Sequence, residues 1–266
     1  MSKTLSALLF DVDGTLADTE RDGHRVAFNM AFAEAGLDWD WSAELYGELL
    51  AVTGGKERMR FYLDRYRPDF ERPDDLDGFI AGLHQAKTRH FTDLLAAGRI
   101  PLRPGVDRLL REARGRGLRL AIATTTTPAN VQALLRHALA PDGEDWFEVI
   151  AAGDVVPAKK PAPDIYCYAL ERMGLGPGDC LAFEDSENGV RSARDAGLKT
   201  IVTVNDYTRG QDFDGAALVL DEMGEPDAPF QVLGGEGGAE AAGATCLDVD
   251  LAIRLHADCR DAAETA

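Results

Sequence analysis

Cysteine is scarce in this 266-residue chain, at four residues (Cys167, Cys180, Cys246 and Cys259), and no two form a Cys-x-x-Cys pair. That argues against a thiolate zinc site and makes reduced thiols the expectation. Long apolar runs are missing too, and none of the stretches present is long enough to span a bilayer. Basic residues are outnumbered, 28 against 46 acidic, for a formal net charge of −18. Such a balance excludes the basic footprint that a nucleic-acid partner needs. It also works against long-range steering of an anionic substrate, so a phosphate ester could be held only by local cations and Mg²⁺. Met1 is followed almost at once by an apolar strand, which leaves no room for a leader. The expectation is a cytoplasmic monomer without a membrane or nucleic-acid partner.

What is present is a core. At 45% hydrophobic residues the chain has the composition of a globular protein large enough for one domain with an insertion. Residues 5–10 are an apolar run that reads as a buried strand. About eighty residues of helical spacing follow, with segments at 26–36, 43–51, 56–66 and 76–95. Asp74 or Asp75 is placed to cap the last of them. From Pro101 onward strand and helix patterns alternate: strands at 118–123, 147–152, 180–183, 201–204 and 217–220, helices at 131–139, 164–173 and 187–196. That alternation predicts right-handed βαβ units and a mostly parallel sheet, with the helical block as an insertion after the first strand. Residues 225–244, rich in Gly, Ala, Pro and Glu, predict a flexible loop, and 247–256 a last strand or helix.

The chemistry concentrates where predicted strands end. The first strand runs into Asp11-Val12-Asp13-Gly14-Thr15. In open α/β sheets ligands bind beyond the carboxyl ends of strands, although Asp-x-Asp-Gly alone could be only a tight turn. Three further segments fall at equivalent places: Thr124 to Thr127, Lys159-Lys160-Pro161, and Glu184-Asp185-Ser186. A parallel sheet would collect all four along one edge, as phosphoryl transfer requires. Asp11 suits a nucleophile that forms an aspartyl phosphate, and Asp13 a general acid and base. Mg²⁺ would take Asp11, the main-chain carbonyl of Asp13 and Asp185, with Glu184 among the candidate ligands. Thr124 can donate to a phosphate oxygen, with Thr125 and Thr126 as candidate substrate contacts. Lys160 can pair with Asp11 and the phosphate together.

These four segments in this order resemble the haloacid-dehalogenase superfamily, over most of the chain to about Leu220. The resemblance implies a Rossmann-like core made of residues 1–18 and 97–266, with an α-helical cap domain at 19–96 that closes over a small substrate. Asp13 implies a phosphatase or phosphomutase, since the dehalogenases of the family lack an acid at that position. Within the superfamily the cap resembles the CbbY group, through Tyr46-Gly47-Glu48-Leu49-Leu50, Gly54-Gly55-Lys56-Glu57-Arg58-Met59 and the stretch from Ala17 to His24. The implied reaction is Mg²⁺-dependent removal of the 1-phosphate of xylulose 1,5-bisphosphate, leaving xylulose 5-phosphate.

A bisphosphate needs a second anion site away from the metal. Gly54, Gly55, Lys56 and Arg58 offer exposed amides and two cations for it, and Glu20 can accept sugar hydroxyls. His24 is a further candidate substrate contact. Lys87 reads equally well as a cap lysine or a helix-surface residue, while His84 and His90, six apart, read as structural. Two other functions share these motifs: a sugar phosphomutase of the β-phosphoglucomutase type, and a non-catalytic module that senses a phosphorylated ligand.

Overall fold

The structure, a computed structural model, describes residues 4–52 and 54–257. Cys259 lies outside the described residues, and Cys167, Cys180 and Cys246 are free thiols. Among the described residues seven strands form one sheet: β1 Ala7–Phe10, β2 Arg119–Thr124, β3 Val149–Ala152, β4 Cys180–Glu184, β5 Lys199–Thr203, β6 Leu218–Leu220 and β7 Val232–Gly234. Their order is β3-β2-β1-β4-β5-β6-β7, all parallel except for β7, which runs antiparallel along β6. Alternate residues of β1 enter two separate cores. Leu8 and Phe10 face one of them and Ala7 and Leu9 the other, so the sheet is covered on both sides.

The register sets the site. Phe10 of β1 stands level with Ile122 of β2 and Phe183 of β4, and its ring stacks on Phe183 at 4.4 Å. The next residue, Asp11, donates its N–H to the Phe183 carbonyl at 3.0 Å. Asp11, Thr124 and Glu184-Asp185 therefore emerge at the same edge. The segments that carry them leave the strands there because the following helices start at once. Thr127 caps helix Pro128–Leu134 and Ser186 caps helix Glu187–Asp195 through side-chain oxygens that accept N–H groups of the first turn.

Among the described residues five α-helices lie between β1 and β2: α1 Arg25–Glu34, α2 Ala43–Leu49, α3 Gly55–Tyr66 and α4 Leu76–Ala96, which form the inserted block, and α5 Val106–Gly115, which leads into β2. Ser42 caps α2, and Asp75 caps α4 by accepting the Gly78 N–H at 2.8 Å. This block has an aromatic core of its own, centred on Phe28, Phe32, Trp39, Trp41, Tyr46 and Tyr62. A short π-helical turn, Glu20–His24, joins it to the sheet edge. Among the described residues no helix is long and apolar enough to cross a membrane.

Residues 225–244 depart from the expected flexible loop. They contribute β7, bury Phe230 and Ala241, and anchor through Glu225, which accepts the Gly105 N–H and the Arg108 Nε–H, both at 2.9 Å. Composition suggested a loop because a three-residue edge strand and a few apolar anchors are too sparse to register as a pattern. The segment after it is the C-terminal helix Val249–Ala257, a helix rather than a strand. Leu247, fully buried in the main core, pins that junction. Leu247→Ala is expected to cost about 2–5 kcal/mol in urea unfolding, the usual range for a buried Leu, whereas a truly loose tail would leave stability unchanged.

Candidate active site

Lys160 stands at the centre of the sheet edge. Its Nζ donates to Asp11 Oδ1 at 2.7 Å, Glu184 Oε1 at 2.6 Å and the Ala123 carbonyl at 2.8 Å, all buried. Three donors thus meet three acceptors, which satisfies the ammonium completely. Burial opposes its charge, but Asp11 and Glu184 outweigh burial and hold its pKa above the ordinary lysine value. Tyr166 donates its hydroxyl to the same Glu184 Oε1 at 2.5 Å.

Asp11, Glu184 and Asp185 each offer an oxygen within 4.8 Å of the others. One ammonium does not balance three carboxylates. Burial first, then Lys160 in opposition and Glu184 in support, leaves the Asp11 pKa raised to about 7. The Asp185 carboxyl is pushed well above the usual range by burial and by the charges of Asp11 and Glu184. A buried, oxygen-only cluster with surplus negative charge fits a hard divalent cation such as Mg²⁺. Glu184 was expected among its ligands. It is one of the three acids of this cluster, and its Oε1 also supports Lys160 and Tyr166 by accepting from both.

Asp13 sits in a different environment. Its Oδ1 accepts from Thr19 Oγ1 at 2.5 Å and from His24 Nε2 at 3.0 Å, while Lys87 Nζ lies 2.9 Å from His24 Nδ1. Burial disfavours the charge on Asp13, but His24 and the Thr19 hydrogen bond overcome it and hold its pKa below the usual carboxylate range. His24, expected at the substrate, is therefore a neighbour of Asp13 as well as a wall of the cavity. Lys87 is not on the helix surface: it is buried, and burial lowers its pKa to about 8 against the pull of Asp13 and Glu20. Helical spacing could not reveal this, because the turn that faces it is sixty residues away in the chain.

The remaining candidates line two adjoining cavities, of about 420 and 240 Å³. The larger contains Asp11, Asp13, Thr124, Lys160 and Asp185, and the smaller contains Lys56, His84, Lys87, Thr126 and Lys159. Asp13, Glu20, Gly54, Arg58 and Thr125 border both. Thr124 Oγ1 accepts the Thr126 N–H at 3.3 Å, which leaves its own proton to give. Thr126 accepts from Asn130 Nδ2 at 2.9 Å. Arg58 is buried, with Nη1 on the Tyr46 hydroxyl at 2.7 Å and Nε on the Leu49 carbonyl at 3.2 Å. The same Tyr46 hydroxyl donates to Glu20 Oε2 at 2.5 Å. Arg58 therefore both borders the cavity and holds α2 to α3.

His84, read from spacing as structural, lines the smaller cavity with its ring on Gly55. Any Cβ at residue 55 would lie 2.8 Å from His84 Nε2, so the close approach requires glycine. Burial and the cations Lys87 and Lys56 lower the His84 pKa to about 4. His90 pairs with Glu34 at 2.7 Å, outside both cavities, as a structural histidine would. Tyr166 and Asn205, the latter donating Nδ2–H to Asp185 Oδ2 at 2.7 Å, carry no motif that would have marked them.

A family model for haloacid dehalogenase-like hydrolases matches residues 5–197. The chain is 52% identical over 226 residues to the plasmid protein CbbY of Cupriavidus necator, over 85% of this chain and 89% of that protein. The crystal structure of CbbY from Rhodobacter sphaeroides in complex with phosphate aligns with a TM-score of 0.75 at 49% identity, over 82% of this chain and 94% of that one. A mutant of the same protein, crystallised in complex with xylulose 1,5-bisphosphate, aligns with a TM-score of 0.75 at 48% identity and the same coverage.

The raised pKa of Asp11 gives the acidic cluster a pH signature. In the metal-free protein, burial of Asp11 favours folding most below its ordinary value of 3.8, and that contribution is lost as pH rises toward 7. A divalent cation must displace the proton, so it binds more tightly above pH 7 than below. Thermal unfolding with excess Mg²⁺ is expected to show a rise in Tm on the order of 5 °C at pH 8 and a smaller one at pH 6. Equal shifts at both pH values would remove Asp11 from the cation site.

Proposed function

The chain belongs to the haloacid dehalogenase-like hydrolases, in their CbbY group of phosphatases, and we propose that it is a Mg²⁺-dependent phosphatase that converts xylulose 1,5-bisphosphate to xylulose 5-phosphate. The observation that carries this reading is the buried carboxylate cluster short of a cation, set in a cavity that adjoins a second one carrying cations. The second cavity is lined by Lys56, Arg58, Lys87 and Lys159 beside Asp13, Glu20, Glu57 and Asp154, so it offers several cations and, among the described residues, no matching acidic cluster at one point. A short sugar with a phosphate at each end matches that arrangement. The Rhodobacter sphaeroides mutant crystallised with xylulose 1,5-bisphosphate supports the choice of sugar.

Bound Mg²⁺, held by Asp11, Asp185 and the Asp13 carbonyl, would offset the charge of the phosphoryl group and of the carboxylate that attacks it. Asp11 attacks phosphorus, and the bond from phosphorus to the ester oxygen breaks. Asp13 protonates that departing oxygen. In the free enzyme Asp13 is held as the anion; the arriving phosphate dianion raises its proton affinity, and it takes up a proton from solvent before the ester bond breaks. Asp13 then removes a proton from water, which attacks the aspartyl phosphate and restores Asp11. Thr124 holds a phosphoryl oxygen, and Lys160, its three donors already committed to Asp11, Glu184 and Ala123, keeps Asp11 in place and offsets negative charge beside it.

Residues 19–96 act as the cap. Their inner wall supplies Glu20 for sugar hydroxyls and Lys56, with Arg58, for the second phosphate, while Thr125 and Thr126 bound the opposite side. Aspartyl-phosphate turnover in a closed cleft excludes water until the sugar has left, which favours hydrolysis in two separate steps.

The test is kcat/KM for phosphate release with Mg²⁺ from xylulose 1,5-bisphosphate, ribulose 1,5-bisphosphate and glucose phosphates. A marked preference for the first is expected. Label passing from bisphosphate to monophosphate without net release would make the protein a mutase, and binding without turnover would make it a sensor. Asp11→Asn is expected to reduce turnover to background with metal-free Tm preserved, since it removes a charge that burial disfavours. Arg58 also supports Tyr46, so Lys56 is the cleaner probe of the second phosphate. Lys56→Ala is expected to raise KM for the bisphosphate roughly tenfold, the loss of one charge-assisted contact, and to leave KM for a monophosphate unchanged. An equal rise for both would take Lys56 out of that subsite.

A further inference from the structure

We propose that Asn205 is a positioning residue that aims the Asp185 carboxylate at the divalent cation, an inference that rests on the metal-dependent reading above. Asn205 lies in the turn just past β5 and uses both ends of its amide. Nδ2 donates to Asp185 Oδ2 at 2.7 Å, and Oδ1 accepts the Tyr207 N–H at 2.9 Å. Its own N–H donates to Thr208 Oγ1 at 3.0 Å, and its carbonyl accepts the N–H groups of Thr208 and Arg209 at 3.2 and 3.1 Å. The amide cannot rotate without losing two of these bonds.

Gly14 closes the arrangement from below. Its φ of +90° is a glycine conformation, and a Cβ there would overlap Asp185 Oδ2 and lie 2.6 Å from Asn205 Nδ2. The Asp185–Asn205 hydrogen bond therefore rests directly on the backbone of the Asp11–Thr15 loop. With Oδ2 tied, Oδ1 is left for the cluster with Asp11 and Glu184. An amide suits this position because it orients the carboxylate without neutralising it. A lysine or arginine would itself supply the charge that the cluster needs from a metal, whereas outer partners of metal ligands act by orientation.

The same turn is braced from the other side. The Tyr207 ring packs against Gly47 of α2, where a Cβ would lie only 3.2 Å away, and meets Tyr46 edge-on at 6.1 Å. Asn205 thus connects a cation ligand to a segment that the helical block holds in place.

The experiment measures Mg²⁺ binding to the metal-stripped full-length protein by calorimetry, with metal-free Tm measured in parallel. In Asn205→Ser the hydroxyl can still accept the Tyr207 N–H but does not reach Asp185, whereas Asn205→Ala loses both contacts. Both variants are expected to raise the Mg²⁺ Kd on the order of tenfold, with metal-free Tm near wild type. Saturating Mg²⁺ is expected to restore most of kcat in Asn205→Ser, with little change in KM for the sugar phosphate. A wild-type Kd in Asn205→Ser, or a defect confined to Asn205→Ala, would assign the residue to the turn alone and overturn the proposal. Absence of Mg²⁺ binding by the wild-type protein would instead defeat the metal-dependent reading itself.

Discussion

The buried hydrogen bonds from Lys160 to Asp11 and Glu184 are the constraint on which the sheet edge depends. Two carboxylates from neighbouring strands could not both be ionised there without a cation between them. Lys160 arrives from the segment after β3, and Ala123 at the end of β2 supplies its third acceptor. One side chain therefore ties β1, β2 and β4 together at the point where the sheet meets the cleft. Glu184 is in turn held by Tyr166 from helix Asp164–Met173, so the support reaches into the core beneath the sheet. A site built this way is rigid because its charges cannot be separated without leaving one of them buried and alone.

That rigidity coexists with a net charge of −18, which ought to repel a phosphate ester. Scale resolves the conflict. Surface charges are screened over about 8–10 Å at physiological ionic strength, whereas charges inside a cleft are screened much less. Of the cations that line the cleft, Lys87, Lys160 and Arg58 are buried and Lys56 sits at its exposed rim. On the proposed reading these local groups set substrate affinity, and the acidic exterior acts on solubility and association rate.

The sequence was legible where function depends on spacing along the chain. Asp11, Asp13 and Asp185 closely follow strand ends, Thr124 closes β2 and Lys160 lies in the segment after β3, and a parallel sheet has no choice but to bring strand ends together. It was illegible where function depends on which helix faces which turn. Lys87 read equally well as a cap lysine or a surface residue because nothing near it in sequence shows that α4 lies against the Glu20–His24 turn. His84 looked structural because its partner is a glycine backbone, and Asn205 and Tyr166 are unremarkable until the registers of β4 and β5 are known. The Gly/Ala-rich segment after Glu225 was misjudged for a related reason. Backbone pairing with β6 and the ion pair of Glu225 with Arg108 do not require a periodic sequence.

Two buried lysines in one cleft show how the site is matched to its proposed substrate. Burial lowers the pKa of both, and the difference lies in what each one faces. Lys160 meets two carboxylates in direct contact, which more than offset burial and raise its pKa. Lys87 gives its hydrogen bond to a ring nitrogen of His24 and feels Asp13 and Glu20 only through space, so burial prevails and its pKa falls to about 8. The first end of the cleft therefore carries more anion than it can balance, and the second holds a cation that its surroundings do not fully support. A divalent metal relieves the first imbalance and a phosphate group relieves the second. Each makes the cleft electrostatically complete only when the other is also bound, so on the proposed reading metal and bisphosphate reinforce one another.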